Sequence, residues 1–483
     1  MEVNDILVGG QADDVWDERW RALCLAIDTM FKDYGQVPDA PRFKTLLPML
    51  LCLKAFADKR FTSFHSGFRA KRLETWPDFP PDAVFSTIQD QIGYDVDVIN
   101  RAILQRLSGT SLMKERLELA DRLAWSALQL AVSAGLLGPE KKSTATTYFQ
   151  KSPNIRVMPY APVALVGVPY SCQQLDRDLL ATPHEVGHYV FWHGNYDGMS
   201  LREFLVGQVV AVVPNKQSPD YQLLLHWLEE IFADAYGTCV AGPVMALDFQ
   251  DLQLDTSRQK FITDDAVHPA PVLRPNIHLQ ILRKRDPANW AMWADVLQQN
   301  WKVRLEERQR IEHLDAEDPD DRARKLDHFI RNNQLVSVAA TISNSANSSE
   351  DVTSLDRLLT VILDLLKSGN THPWYDNLPG APAAAVSPLD RDTLAQTVEQ
   401  LYESFCDFVL RPPVVDPDQL DPLHAAPLNT PADQDNIVGQ WLDPVQLKFP
   451  SPKEPGDPVI VEEWKPYFEA DGWTTEGPQH SWP

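Results

Sequence analysis

Two histidines and a glutamate lie close together in the run His184-Glu185-Val186-Gly187-His188. Positions i and i+4 share one face of a helix, so His184 and His188 can point imidazole nitrogens at one metal ion. Neutral imidazole is a good ligand for zinc. Glu185 adjoins the first ligand and projects beside the metal, where it can accept a proton from water without binding the ion. The pentapeptide therefore predicts two zinc ligands and a general base.

A catalytic zinc site needs three protein ligands and one open position, so a third donor must come from elsewhere in the chain. His193 is close, but it lies one residue too early for the metzincin spacing. The stretch 222–239 has a helical period, and it contains Glu230 and Asp234 as an i,i+4 pair. His226 is also weighed as a ligand, although a lone histidine on an amphipathic helix is more often packed or at the surface.

The two motifs together resemble those of the gluzincin metallopeptidases. The run from Glu230 to Asp234, EIFAD, is similar to the Glu-x-x-Ala-Asp run of the HtpX-like and CaaX-prenyl-protease group, and the general arrangement is shared with thermolysin. The resemblance implies that Glu230, and not its neighbour Glu229, completes the zinc site. It also implies that Asp234 hydrogen-bonds a ligating histidine and thereby fixes its tautomer and ring orientation.

Three further residues are candidates for stabilising the oxyanion that forms during peptide hydrolysis. His268 and Arg274 belong to a His-Pro segment followed by Arg, which is similar to a segment found after the ligand glutamate in HtpX-like peptidases. A proline-rich connection whose histidine only caps or packs is the competing interpretation. Tyr221, which precedes Glu230 in the chain, is the third candidate.

The segment before the pentapeptide predicts short strands. Residues 154–171 are rich in β-branched side chains and contain prolines, which indicates one or two strands. In gluzincins a strand beside the zinc helix binds the substrate backbone as an extra strand, so the resemblance implies the same here. Pro183 allows two helix geometries. We favour a start capped by Thr182 with proline at the first helical position over a helix that begins near Leu175 and kinks.

Composition and charge restrict the class of protein. The chain has 483 residues, of which 44% are hydrophobic, and this is enough for a substantial core. The net charge of -24 disfavours nucleic acid and anionic membranes as the main partners. The resemblance to metallopeptidases implies a protein or peptide substrate.

Several features favour a cytoplasmic location. The five cysteines (Cys24, Cys52, Cys172, Cys239 and Cys406) are far apart in sequence, which is typical of a reducing compartment. The first residues are acidic where a signal peptide would be basic, and the longest apolar stretch, 123–138, is too short for a membrane span. This departs from the HtpX-like group, whose members carry membrane helices. Export by a specialised system stays an open alternative.

Periodicity predicts an α+β protein that is predominantly α-helical. Segments with a clear helical period are 16–35, 42–60, 112–135, 293–314, 323–342, 354–369 and 392–411. We expect an N-terminal helical lobe over residues 1–140, a zincin-like catalytic core with a small β-sheet over 141–288, and a C-terminal helical lobe over 289–410. Residues 411–483 are rich in proline and tryptophan, and we expect them to pack on the body in extended form.

The favoured function is a zinc metallopeptidase, with Zn²⁺ bound by His184, His188 and Glu230 and with Glu185 as the general base. Two alternatives stay open. The chain could be a catalytically inactive zincin-like protein with a binding or structural role, because a fold does not establish an activity. It could also be a latent peptidase whose C-terminal tail blocks the cleft.

Overall fold

The computed structural model describes residues 11–36, 42–70, 80–138, 143–156, 158, 160–217, 219–254, 261, 267–312, 354–367, 374, 389–410, 415, 420 and 430–441. Over these residues the protein is mostly helical, with one small sheet and a short hairpin. The α+β class with predominant helix is thereby confirmed. Within the described ranges, no helix combines the length and the apolar character needed to cross a membrane.

Four helices precede the sheet: α1 (Gln11–Tyr34), α2 (Phe43–Arg69), α3 (Pro81–Ser108) and α4 (Ser111–Ser133). Periodicity predicts α1, α2 and α4 but not α3. The buried face of α3 includes the polar side chains of Gln91, Asp95, Gln105 and Arg106, which interrupt its apolar period. The sequence signal of a helix is weak where its core-facing residues are polar.

The sheet has three strands, β1 (Thr144–Gln150), β2 (Asn154–Arg156) and β3 (Val163–Pro169), in the order β1-β3-β2. β1 is parallel to β3, and β2 is antiparallel to it. β2 and β3 confirm the strands predicted within 154–171, whereas β1 begins before that segment. The short antiparallel hairpin of β4 (Asn195–Tyr196) and β5 (Met199–Ser200) follows farther along the chain.

The remaining helices follow the sheet: α5 (Thr182–His193), α6 (Leu201–Val212), α7 (Pro219–His226), α8 (Leu228–Ala241), α9 (Pro243–Leu254), α10 (Arg274–Arg285), α11 (Ala291–Glu312), α12 (Ser354–Leu366), α13 (Arg391–Leu410) and α14 (Pro431–Trp441). α11, α12 and α13 confirm three of the predicted helical segments. The helix predicted over 323–342 lies outside the described residues.

The C-terminal tail contains a helix where extended structure is expected. α14 packs on α2 and buries Ile437 and Trp441. Its start explains the helix, because Pro431 occupies the first helical position and Thr430 caps the turn by accepting a hydrogen bond from the Asp433 backbone N–H at 3.2 Å. The expectation of extended form is wrong for this segment, and residues 442–483 lie outside the described residues.

The sheet lies between two hydrophobic cores. Ala164 and Val166 of β3 belong to the first core, which also contains the buried residues of α4 to α13. Val163 and Leu165 of the same strand belong to the second core, which contains α1, α2, α3 and part of α14. The boundary predicted at residue 140 follows α4, so the predicted N-terminal lobe is divided between the two cores.

The outer edge of β1 is covered by buried polar side chains, here called the β1-edge cluster: Arg42, Gln105, Arg106 and Asp121. Gln105 Nε2 donates to the carbonyl of Phe149 at 2.8 Å, and Gln105 Oε1 accepts from the Phe149 N–H at 2.7 Å. The Thr147 N–H donates to Asp121 at 2.7 Å, and Arg106 donates to the Thr147 carbonyl at 2.8 Å. Arg42 donates to the carbonyl of Ala145. These contacts occupy the N–H and carbonyl groups of Thr147 and Phe149 and the carbonyl of Ala145, so this part of the edge is closed to another strand.

Candidate metal centre

α5 carries the pentapeptide, and its start decides where the two histidines point. The helix begins at Thr182, and a separate 3₁₀ turn spans 176–179, so the start near Leu175 with a kink is wrong. Thr182 is itself the first helical residue and does not cap the helix, since Ala181 occupies the capping position. The capping role predicted for Thr182 is therefore also wrong. Pro183 still lies in the first turn, where its missing N–H costs nothing, and both histidines lie on regular helix.

α5 packs against α8 at very short range because glycines line the contact. A Cβ atom at Gly187 would lie 2.9 Å from the Cα of Ala233, and a Cβ atom at Gly237 would lie 3.1 Å from the backbone nitrogen of His184. Real Cβ atoms essentially never show the first distance, and the second is tighter than nine in ten real Cβ contacts, so a larger residue at either position requires the facing backbone to move. This close approach places the glutamates of α8 against the histidines of α5.

Two histidines and one glutamate, here called the metal group, bring their ligand atoms together: His184, His188 and Glu230. The two Nε2 atoms are 3.1 Å apart. The oxygens of Glu230 lie 3.6 Å from His184 Nε2 and 3.5 Å from His188 Nε2. Zinc bonds of about 2.0–2.1 Å in a tetrahedron separate ligand atoms by about 3.3 Å, so the group has the dimensions of a zinc site. All three side chains are buried.

Each histidine of the metal group has a carboxylate against its other ring nitrogen. His184 Nδ1 lies 3.0 Å from Asp234 Oδ1, which is the support that the resemblance implies for Asp234. His188 Nδ1 lies 2.8 Å from Glu229 Oε1. A carboxylate at Nδ1 holds the proton on that nitrogen and leaves Nε2 free to bind a metal. Sequence reasoning rejected Glu229 as a ligand and missed this contact, for which the only signal is its position beside Glu230.

The metal group has the charge distribution of a cation site. Burial lowers the pKa of His184 to about 4, although Asp234 opposes the shift. Burial also disfavours the charged form of His188, but the carboxylates of Glu230, Glu229 and Glu185 outweigh it and raise the pKa of His188 to about 9. In the metal-free protein, His188 is therefore the positively charged imidazolium at neutral pH. Its charge balances the carboxylates that a bound metal ion would otherwise balance.

The carboxylates of α8 stay ionised despite their burial. Burial raises the pKa of Glu230, but His268, Arg274 and the two ligand histidines overcome this effect and lower it to about 2. The pKa of Asp234 is also well below its usual value, because Arg274 and His278 outweigh burial. Both groups are thus anionic across the physiological pH range, as a metal ligand and its support need to be.

Arg274, the first residue of α10, is fully engaged with these carboxylates. It donates from Nε to Asp234 Oδ2 at 2.8 Å and from Nη2 to Asp234 Oδ1 at 2.8 Å. Nη2 also donates to Glu230 Oε2 at 2.5 Å. The side chain is buried, and the ring of Phe249 packs against its guanidinium at 4.8 Å. Arg274 therefore holds the ligand glutamate and its neighbour Asp234, which differs from the oxyanion contact predicted for it.

The other predicted catalytic residues differ in their proximity to the metal group. His268 Nε2 lies 3.3 Å from Glu230 Oε1, and its side chain is 20% exposed, so it borders the group on a side that solvent reaches. Glu185 is buried, and its charge acts on both His188 and Arg274. Tyr221 packs in the first core, and within the described residues no hydrogen bond or ring contact joins it to the metal group.

The two histidines rejected as ligands lie away from the metal group. His193 is stacked on Tyr189 with ring centroids 4.3 Å apart. His226 is exposed at the end of α7. A turn at Trp227 separates α7 from α8, so the single helix predicted over 222–239 is two helices. Both ligand-bearing motifs nevertheless lie on uninterrupted helix.

Comparison of the chain with protein-family models, with curated proteins and with solved structures finds no match. A functional assignment therefore has to come from the geometry of the metal group and of its neighbours.

Proposed function

We propose that this protein is a zinc-dependent metallopeptidase of the gluzincin type, with a zincin-like core formed by the sheet, α5 and α8. The observation that carries the proposal is the metal group itself. Two imidazole nitrogens and a carboxylate converge in the protein interior at the spacing of zinc ligands, and each imidazole has a carboxylate at its far nitrogen. Three protein ligands are the number that leaves a position for water or substrate.

Glu185 has the position and the chemistry of a general base. When bound, zinc supplies Lewis acidity, which lowers the pKa of water and polarises a substrate carbonyl. Glu185 follows the ligand His184 directly and is buried beside His188, so its carboxylate is the group that takes the proton from the attacking water. The same carboxyl then gives that proton to the leaving amine.

His268 is the residue of this chain best placed to stabilise the developing oxyanion. It borders Glu230 and is partly exposed, which is the position needed for contact with a bound peptide. Arg274 contributes indirectly, because it keeps Glu230 and Asp234 oriented and ionised.

The edges of the sheet favour an extended peptide as the substrate. The β1-edge cluster occupies one edge of the sheet, so among the described strands β2 is the one beside which we propose that a peptide adds. α5 contacts both β2 and β3, which places that edge next to the metal helix. Backbone pairing at such an edge binds a peptide with little demand on its side chains.

The described tail residues support the active enzyme over the latent one. Arg42 and Thr144 both donate hydrogen bonds to the Leu420 carbonyl, at the β1 side of the sheet. α14 packs on α2 in the second core, whereas the metal group lies among helices of the first core. These contacts hold the described tail on the N-terminal helices.

The mechanism is tested with Glu185→Gln, assayed for casein cleavage and for bound zinc. General acid–base catalysis contributes about 10²- to 10⁴-fold, so we expect the rate to fall by that factor. Bound zinc should be unchanged because Glu185 is not a ligand. Glu118→Gln, an exposed position on α4, is the matched control and should retain full activity.

Two results would contradict the proposal. Normal cleavage by Glu185→Gln would exclude it as the base. A wild-type protein that binds zinc but cleaves no member of a diverse peptide library would favour the inactive zincin-like alternative instead.

A further inference from the structure

We propose that Glu229 is a positioning residue for the metal, and that Trp192 holds it in place. The pair would form a second support for the metal group, acting on His188 as Asp234 acts on His184. This inference rests on the proposed function, since it assigns Glu229 to the zinc site that the function requires.

The contacts around Glu229 Oε1 carry the inference. His188 Nδ1 lies 2.8 Å from this oxygen, and the indole Nε1–H of Trp192 donates to the same oxygen at 2.9 Å. The indole nitrogen is a donor only, so its role in the contact is fixed. One carboxylate oxygen therefore receives a hydrogen bond from a metal ligand and one from a fixed aromatic side chain.

The spacing along α5 explains how a tryptophan reaches this position. His184, His188 and Trp192 are separated by four residues each, so they form one row along the same face of the helix. α8 faces this row, and Glu229 lies opposite the space between His188 and Trp192. The guanidinium of Arg202, in the first turn of α6, covers the indole ring at 4.9 Å and holds it from the other side.

The location of Glu229 argues against a purely structural role. Its side chain is 20% exposed, whereas that of Asp234 is fully buried and bonded to Arg274. A partly exposed carboxylate keeps part of its hydration without a protein partner, so this contact adds little to the stability of the fold. The same contact has a large effect on metal binding, because it keeps the proton on Nδ1 and raises the electron density at Nε2.

The test measures zinc affinity of the full chain by competition with a chromogenic chelator, after removal and return of the metal. Loss of such a support typically weakens metal binding about 10- to 100-fold, and we expect this for Glu229→Ala. Glu229→Gln keeps an oxygen that accepts from both His188 and Trp192, so its zinc affinity should fall less than that of Glu229→Ala. This variant is the conservative replacement that restores part of the effect. The zinc affinity of Trp192→Phe should fall by a still smaller factor, because His188 keeps its contact with the Glu229 carboxylate. Glu118→Ala on α4 is the matched control.

Cobalt substitution adds a readout that a structural role would not change. The visible absorption of bound Co²⁺ depends on ligand geometry, so Glu229→Ala should shift the spectrum and Glu118→Ala should not. A Glu229→Ala protein with wild-type zinc affinity and a wild-type cobalt spectrum would overturn the inference, even if its melting temperature fell. If Glu229→Ala fails to fold, Glu229→Gln and Trp192→Phe decide the question by the same two measurements.

The inference and the proposed function fail in different ways. A wild-type chain that binds zinc, is weakened by Glu229→Ala and cleaves no peptide would remove the peptidase while supporting the positioning role. If the wild-type chain cleaves peptides with zinc and Glu229→Ala leaves zinc binding unchanged, the peptidase function is supported and the positioning role of Glu229 is removed.

Discussion

The β1-edge cluster and the metal group are two buried sets of charged side chains with opposite arrangements. In the β1-edge cluster, every polar side chain bonds the backbone of β1 or another member, and Asp121 lies between two arginines. In the metal group, the ring nitrogens and carboxylate oxygens point at one another. Burial and charge are common to both sets, so neither property identifies a functional site.

The direction of the polar atoms separates the two sets. Donors meet acceptors throughout the β1-edge cluster, which therefore completes the fold and has no capacity for a ligand. In the metal group two imidazole nitrogens converge with the Glu230 carboxylate, whose charge is balanced in part by Arg274 and by protonated His188 and would be balanced further by a bound cation. The comparison predicts that substitutions in the first set change stability alone, whereas those in the second change metal binding.

Asp121→Asn should have the largest effect on stability. It leaves the buried guanidinium groups of Arg42 and Arg106 without their shared negative charge, at a cost of about 3–5 kcal/mol. The free energy of unfolding is measured by denaturant titration. Zinc affinity, measured without denaturant, should be unchanged. Asp97→Asn, at an exposed ion pair on α3, is the control and should cost less than about 1 kcal/mol. A fall in zinc affinity with intact folding would remove the distinction between the two sets.

Gly187→Ala should affect both stability and metal binding. The added methyl group meets the backbone of Ala233, so α5 and α8 must move apart, at a cost of about 1–3 kcal/mol. Zinc affinity should fall as well, because the ligands lie on both helices. Gly207→Ala is the control, since nothing lies near its added Cβ on α6 and alanine favours helix by up to about 1 kcal/mol. Equal behaviour of the two variants in thermal unfolding would show that the close approach of the helices is unimportant.

Asp248→Asn should have the smallest effect on stability, and this effect should depend on pH. Asp248 on α9 is buried, and its burial, together with Asp251 and Asp178, raises its pKa well above the usual value. Within the described residues its carboxyl has no hydrogen-bonding or ion-pair partner, unlike the carboxylates of both charged sets. It is a third case, in which the charge is simply unfavourable in the fold.

The sign of the Asp248 effect follows from the raised pKa. Stability from this group is fully present below the unfolded pKa, about 3.9, and is lost as pH rises through the folded pKa. Asn imitates the protonated acid, so Asp248→Asn should unfold at a higher temperature, with a gain of about 1 kcal/mol at neutral pH that disappears in acid. Asp90→Asn, at an exposed position of α3, should show no such dependence. A gain that stayed constant with pH would mean that ionisation of Asp248 is not its cause.

The two charged sets also differ in how far the sequence predicts them. His184, Glu185 and His188 follow from one short motif, because helical periodicity decides which side chains share a face, and the resemblance adds Glu230 and Asp234. The contacts of Arg42 and Asp121 join positions far apart in the chain, and no local pattern indicates them. The helix α3, which contributes Gln105 and Arg106, has a weak sequence signal for a different reason, because these polar side chains interrupt its apolar period.

The supports of the metal group show the limit of motif reasoning. Asp234 is separated from Glu230 by one helical turn, and the resemblance implies its role. Glu229 and Arg274 act through the packing of α8 against α5 and α10, which spacing within one helix does not determine. The resemblance assigned Arg274 to the oxyanion, whereas the structure shows its donors bound to carboxylates.

The central claim is that His184, His188 and Glu230 bind one zinc ion. It is tested most directly by elemental analysis of the purified chain after dialysis against buffered free zinc, beside His188→Ala treated in the same way. The account predicts one zinc ion per wild-type chain and none in the variant, with the variant still folded by circular dichroism. A wild-type chain without zinc, or a His188→Ala chain that retains it, would contradict the account.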